Sequence, residues 1–377
     1  MPKVHRFEAL KQFAVEFVVP PRPQRAVALS SRQRAAIQEC LDASLAENTR
    51  KAYAYYWRQF TAWCHVQRYR PMPADPVIVA AYLAELAAPP AGQRVASVST
   101  ITVALSAIAY VHGKAAPDAA NPAQAIAVRT VMAGIRRKLR DQKPKRKHPM
   151  TRDRLERLLS ALPASTVAGV RDRALLLLSF ALALRSSEAV SLNLTHVKIE
   201  RDAATIAVPH SKTDQTGVGE TYRVKRRPAR DALCVVAALE RWIETLREAD
   251  RGRRTRLAQK SGRSAVGRAE VALFRSLSVN GTPTGRRLDA ESVGYILKGA
   301  VRQAREAGVW DVRKDGRLAD YSSHSLRAGF VTTAYEKNMP EWQIQRVTRH
   351  KSTAILRSYN RQQGTDKTEA IDHVLGK

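Results

Sequence analysis

His196-Val197-Lys198-Ile199-Glu200, Ala204-Thr205-Ile206-Ala207-Val208-Pro209-His210 and Glu220-Thr221-Tyr222-Arg223-Val224-Lys225-Arg226-Arg227 alternate with a period of two residues, in a chain whose other patterned segments repeat with a helical period. Arg201-Asp202 separates the first run from the second, and a glycine-containing loop separates the second from the third. Alternation bounded by such breaks predicts three strands joined as hairpins, and so a small antiparallel sheet. The rest predicts helices. The fold class is therefore mainly α with one small three-stranded antiparallel sheet.

Helices flank this sheet on both sides. Before it, Thr151 is placed to cap a helix reaching residue 162, and residues 171–184 form an apolar helix ending at Arg185. After it, helices are expected over 231–249, 289–307, 325–337 and 341–348, with a last one holding Tyr359; residues 251–267 are basic and aperiodic and predict an exposed loop. Residues 30–139 are helical throughout. Ser44-Leu45-Ala46-Glu47 fits a capping box ahead of Tyr53, Tyr56, Trp57, Phe60 and Trp63, whose helical spacing reads as core packing. Further helices are expected over 77–86, 99–112 and 129–140, giving one small all-α domain over residues 28–140.

Residues 1–27, with Pro20-Pro21-Arg22-Pro23, read as an arm, and residues 141–150, which include Lys143, Pro144, Lys145, Arg146 and Lys147, as a basic linker. The second domain spans 151–364. Residues 365–377 form a tail in which Ala370, Ile371, Val374 and Leu375 make a short apolar stripe.

Charge identifies the partner. The 377 residues include 64 Lys and Arg against 34 Asp and Glu, a formal net charge of +30. Such an excess favours a polyanion. A basic linker between two basic domains suits phosphate contact, and Asn48, Thr49, Arg50, Lys51, Arg58, Arg136 and Arg137, with Lys143, Lys145, Arg146 and Lys147, are the candidate DNA contacts. The longest apolar run, 174–184, is too short to span a bilayer and runs into Arg185, so no membrane protein is indicated. The N-terminus lacks the apolar core of a secretory signal. Cys40, Cys64 and Cys234 are widely spaced and lack metal-ligand spacing, which fits reduced thiols in a cytoplasmic protein.

Arg185 and Glu188 follow the apolar helix, Lys212 lies between two predicted strands, and then come His324-Ser325-Leu326-Arg327, His350 and Tyr359. Each alone is weak: an Arg at a helix end is commonly a salt bridge and a hairpin Lys is commonly solvated. Together and in this order they resemble the tyrosine recombinase family, the phage integrase-like site-specific recombinases. The resemblance implies a two-domain DNA clamp, in which 28–140 is a helical core-binding domain and 151–364 an α+β catalytic domain. Two positions depart from the family's pattern: Ala183 and Arg349 stand where it often has glycine.

The resemblance implies that Tyr359 is the nucleophile, His324 its proton acceptor, Lys212 the general acid, His350 a donor to a non-bridging oxygen and Glu188 a support. Arg185 and Arg327 suit a phosphate clamp because guanidinium offers a planar fork of donors and stays charged. No carboxylate or His cluster accompanies them, and no Gly-x-x-x-x-Gly-Lys loop occurs, so no metal, nucleotide or other cofactor is expected. The implied product is a 3′-phosphotyrosyl bond, reversed by a 5′ hydroxyl from another strand. The implied partners are double-stranded DNA carrying specific recombination sites, further copies of the chain in a tetramer on two sites with the tail docking in trans, and accessory DNA-bending proteins, in the bacterial nucleoid. Two other readings remain: a type IB topoisomerase-like or hairpin telomere resolvase activity through the same adduct, and a DNA-binding protein that keeps the fold without the reaction.

Overall fold

The structure is a computed structural model and describes residues 30–43, 45–116, 119–142, 146–209, 219–228, 231–261, 271–350, 352–357 and 359. Contacts divide the chain into two compact units, Met1–Pro144 and Lys145–Lys377. The arm, the tail, Lys143, Lys145 and Lys212 lie outside the described residues. No helix among the described residues is long and apolar enough to cross a membrane.

The first unit holds α1 (Ser31–Ala43), α2 (Glu47–Val66), α3 (Pro76–Ala87), α4 (Val98–Ala115) and α5 (Ile126–Lys138). Local chemistry sets the starts of α3 and α4. Asp75 accepts a hydrogen bond from Val77 N at 2.7 Å with Pro76 opening the helix, and Ser97 accepts from Thr100 N at 3.1 Å. The expected capping box before α2 is corrected: Ala46 holds the cap position without a side-chain bond, and Ser44 lies outside the described residues. Glu47 is instead the first helical residue, where its carboxylate meets the positive end of the helix dipole.

Phe60 is fully buried among Val79, Leu83, Ile101 and Ile108, with Tyr56, Trp57 and Trp63 packed against that core. Tyr53 meets Tyr110 with ring centroids 5.4 Å apart. The aromatic stripe thus does the packing that its spacing implies.

In the second unit the three alternating runs form β1 (Val197–Ile199), β2 (Ala203–Val208) and β3 (Glu220–Lys225), antiparallel and in sequence order. The register pairs Val197 with Ile206 and Val208 with Glu220. Val208 and Glu220 are therefore the paired residues on either side of the stretch of sequence that contains Lys212. Around the sheet lie α6 (Arg152–Ser160), α7 (Val167–Ala181), α8 (Ser186–Ser191), α9 (Val235–Ser261), α10 (Ala290–Glu306), α11 (Val312–Asp315), α12 (His324–Glu336), α13 (Glu341–Thr348) and α14 (Thr353–Arg357). The core joins Leu155, Leu175, Leu178, Ile206, Trp242, Phe274, Leu297 and Val301. A second hairpin, β4 (Arg275–Leu277) with β5 (Pro283–Arg287), is too short to show as alternation in the sequence.

Four other expectations are corrected. Residues 251–261 are helical, because α9 continues to Ser261; Arg, Leu, Ala, Gln and Lys are good helix formers that outweigh the single Gly252, and Glu244 pairs with Arg247 and Arg251 at 3.4 and 3.0 Å. Thr151 sits at the cap position of α6 but makes no side-chain cap bond. Tyr359 lies just beyond α14, with its amide on Leu356 O at 2.9 Å. The end of the basic linker is docked rather than free: His148 N donates to Asp320 O at 2.7 Å, Met150 N donates to Ser325 O at 2.8 Å, and Met150 is fully buried.

Candidate active site

The apolar helix α7 stops at Ala181, short of the expected end at Leu184, and Arg185 caps the next helix, α8. Between them the chain turns through Ala183, whose φ is 46°, as Leu184 N donates to Ser179 O at 2.9 Å. A second left-handed corner stands at Arg349, with φ 57°, after α13. These are the two positions at which the sequence departs from glycine. A side chain in this region costs roughly 1–2 kcal/mol, which explains a preference for glycine there.

Both corners serve Arg327. The residue is 1% exposed, with Nη1 donating to Ala183 O at 2.7 Å and Nη2 donating to Thr348 O. Nη2 also contacts His350 Nε2 at 3.3 Å. Arginine can only donate, so His350 Nε2 accepts and its ring proton lies on Nδ1, 2.8 Å from Thr348 Oγ1. Burial, together with the charges of Arg327 and Arg185, pushes His350 down to about 4, so the ring is neutral at pH 7. Burial also lowers Arg327 to about 10, leaving it charged at neutral pH.

Glu188 lies between two cations. Its Oε1 accepts from Arg185 Nη1 at 2.6 Å, and its Oε2 accepts from Arg185 N at 2.9 Å and from Arg349 Nη2 at 2.7 Å. The carboxylate side chain is 2% exposed and that of Arg185 is 24% exposed. The buried acid is fully compensated while the Arg185 head stays within reach of solvent.

α12 begins at His324, so one turn of helix brings His324 and Arg327 onto a common side. Gly329, further along the helix, admits the linker end: a Cβ there would stand 1.7 Å from Met150 O. His324 Nε2 lies 2.6 Å from Tyr359 Oη. Partial burial, followed by the charges of Arg327 and Arg185, pushes His324 below the usual imidazole value. Burial raises Tyr359, against the opposing pull of Arg327, Arg146 and Arg185. A neutral imidazole therefore faces a protonated phenol, the pairing required for proton transfer to nitrogen. The ring of Tyr359 also stands 5.9 Å, centroid to centroid, from that of His350.

Arg185, Glu188, His324, Arg327, His350 and Tyr359 thus form one connected constellation. Arg146 and Lys147 line a cavity of about 260 Å³ with His324 and Tyr359. In the first unit Asn48, Arg50, Lys51, Arg58, Arg136 and Arg137 are exposed and Thr49 is half-buried. Arg50 and Lys51 both pair with Glu47. Sequence reasoning did not assign Arg349 and Thr348 to the site; the signal for Arg349 was the replacement of glycine by a charged residue.

The fold and this constellation define a tyrosine recombinase class of enzyme. The sequence profile of the phage integrase family matches residues 148–365, and the chain belongs to that family. It is 30% identical over 338 residues to an integrase/recombinase XerD homolog from Selenomonas ruminantium, covering 89% of this chain and 88% of the relative. Among solved structures, the Tn1549 transposon integrase in complex with circular intermediate DNA aligns with a TM-score of 0.54 at 18% identity, covering 93% of this chain and 100% of that one. The XerH site-specific recombinase bound to difH substrate aligns with a TM-score of 0.52 at 17% identity, covering 92% and 84%. These two likenesses establish the fold.

Proposed function

We propose that this protein is a site-specific DNA recombinase that cuts and rejoins double-stranded DNA through a 3′-phosphotyrosyl intermediate on Tyr359. The observation that carries this reading is the 2.6 Å approach of His324 Nε2 to Tyr359 Oη beside two guanidinium groups. Tyr359 Oη bonds to phosphorus as its proton passes to His324 Nε2. Arg185 and Arg327 balance the charge that gathers on the non-bridging oxygens. The bond to the 5′ oxygen breaks, and Lys212 delivers the proton that this oxygen takes. His350 donates to a non-bridging oxygen once its Nε2 gives up Arg327 and carries the ring proton. Guanidinium charge does the work asked of a metal elsewhere. One phosphoester replaces another, so a 5′ hydroxyl from a second strand reverses the step without nucleotide hydrolysis.

The DNA partner is supported by the charge of +30 and by relatives whose structures hold their DNA substrates. Residues 28–140 act as the core-binding domain and 151–364 as the catalytic domain. Asn48, Thr49, Arg50, Lys51, Arg58, Arg136, Arg137, Lys143, Lys145, Arg146 and Lys147 supply DNA contacts. Exchange between two sites calls for four copies, linked through residues 365–377. The test is to denature cells carrying the native genome while the protein is cutting, then sequence the DNA attached to it. Fragments sharing one site and absent with Tyr359→Phe are expected; equal recovery with Tyr359→Phe would overturn the assignment.

A further inference from the structure

Arg349 occupies a left-handed corner that favours glycine, yet its side chain is 7% exposed and reaches Glu188 Oε2 at 2.7 Å. Its guanidinium carbon lies 5.7 Å from the centroid of the Tyr222 ring. Its Nε and Nη1 are buried without an acceptor among the described residues. A group so poorly supplied with acceptors is held chiefly by its charge opposite the carboxylate and over the ring.

The consequence falls on Arg185. Arginine and carboxylate commonly meet through two parallel hydrogen bonds, which would use both ends of the fork. Here Arg349 and the Arg185 amide together take Glu188 Oε2, and the Arg185 guanidinium touches only Oε1, through Nη1. Its Nε and Nη2 have no acceptor among the described residues. Without Arg349, the buried carboxylate would have the Arg185 head as its sole cationic partner and would draw it into the fork.

We propose that Arg349 is a positioning residue: by holding Glu188 Oε2 it limits the Arg185 guanidinium to a single hydrogen bond and leaves its remaining donors for the reacting phosphate. This rests on the reading that Arg185 grips that phosphate. Arg349 also adds a second guanidinium to this carboxylate, keeping the pocket positive where Arg327 and neutral His350 adjoin it.

The full-length protein is tested on a nicked duplex built from the site recovered by covalent trapping, with binding measured separately on the intact duplex. Arg349→Met and Arg349→Gly should slow single-turnover adduct formation on the order of tenfold to a hundredfold, with duplex Kd within about threefold of wild type. Arg349→Lys should recover most of the rate, because its ammonium also reaches a carboxylate. Met and Lys share the same backbone strain and glycine removes it, so the three variants separate charge from conformation. Arg349→Met as fast as wild type, Arg349→Gly restoring what Met lost, or Arg349→Lys as slow as Met would each overturn the proposal. No adduct from the wild type would remove the phosphate-clamp reading beneath it, an outcome distinct from normal adduct with insensitive Arg349 variants.

Discussion

His324 Nε2 and Tyr359 Oη share a hydrogen bond of 2.6 Å, joining the first residue of α12 to a residue just past α14. The imidazole lies below its ordinary value and the phenol above its own, so the base stays neutral into mild acid while the phenol stays protonated into alkali. Loss of rate on acidification should therefore begin below the ordinary imidazole value of about 6.5. With DNA limiting, adduct formation reports the groups of the free protein. An acid limb centred above that value would contradict the pairing. His324→Gln should lower the rate on the order of 10²-fold at neutral pH.

Arg185 and Arg327 should separate in a stability measurement. Arg327 holds two backbone carbonyls at the left-handed corners, whereas the Arg185 head is accessible to solvent. Replacing Arg327 by Ala leaves both carbonyls without their donor and should cost about 3 kcal/mol. Arg185→Ala leaves Glu188 with Arg349 and should cost about 1 kcal/mol. Each should lower adduct formation on the order of 10²-fold or more. Urea unfolding beside single-turnover cleavage checks both, and equal stability losses would refute the buttressing role of Arg327.

His350 makes stability depend on pH in a defined direction. Its folded value of about 4 lies below the ordinary 6.5, so the unfolded chain binds the proton first and stability falls as pH drops from 6.5 toward 4. Between pH 7 and pH 4.5 the wild type should lose about 2 kcal/mol more than His350→Gln, an order-of-magnitude figure from the shift alone. Urea titrations at the two pH values decide it. Parallel losses in the two proteins would show that the ring is not held neutral by the fold.

Much of this architecture was legible because periodicity and order are local properties of sequence. Alternation around Ile206 located the sheet, and the order of Arg185, Lys212, His324, Arg327, His350 and Tyr359 pointed to the constellation. Element ends were less legible: α7 stops at Ala181 because a left-handed corner follows, and apolar Leu182 and Leu184 do not report backbone angle. α9 runs through a basic stretch because charge says little about helix content when Arg and Lys are good helix formers. The bond from Arg349 to Glu188 spans 161 positions and appears only when the chain is folded.

DNA affinity should depend unequally on the basic residues of the first unit. Arg136 and Arg137 are exposed in the last turn of α5 and make no ion pair among the described residues, whereas Arg50 and Lys51 share Glu47. A cation already paired displaces fewer counterions when it meets phosphate, so its loss should matter less. Arg136→Ala with Arg137→Ala should reduce the slope of log affinity against log salt by about 2, and Arg50→Ala by less than 1. Glu47→Gln frees both of its partners and should tighten binding a few-fold at about 50 mM salt, with the gain fading by about 200 mM. Titrations of one duplex across that range test the ranking; an unchanged slope in the double variant would remove the end of α5 from the DNA-contacting surface.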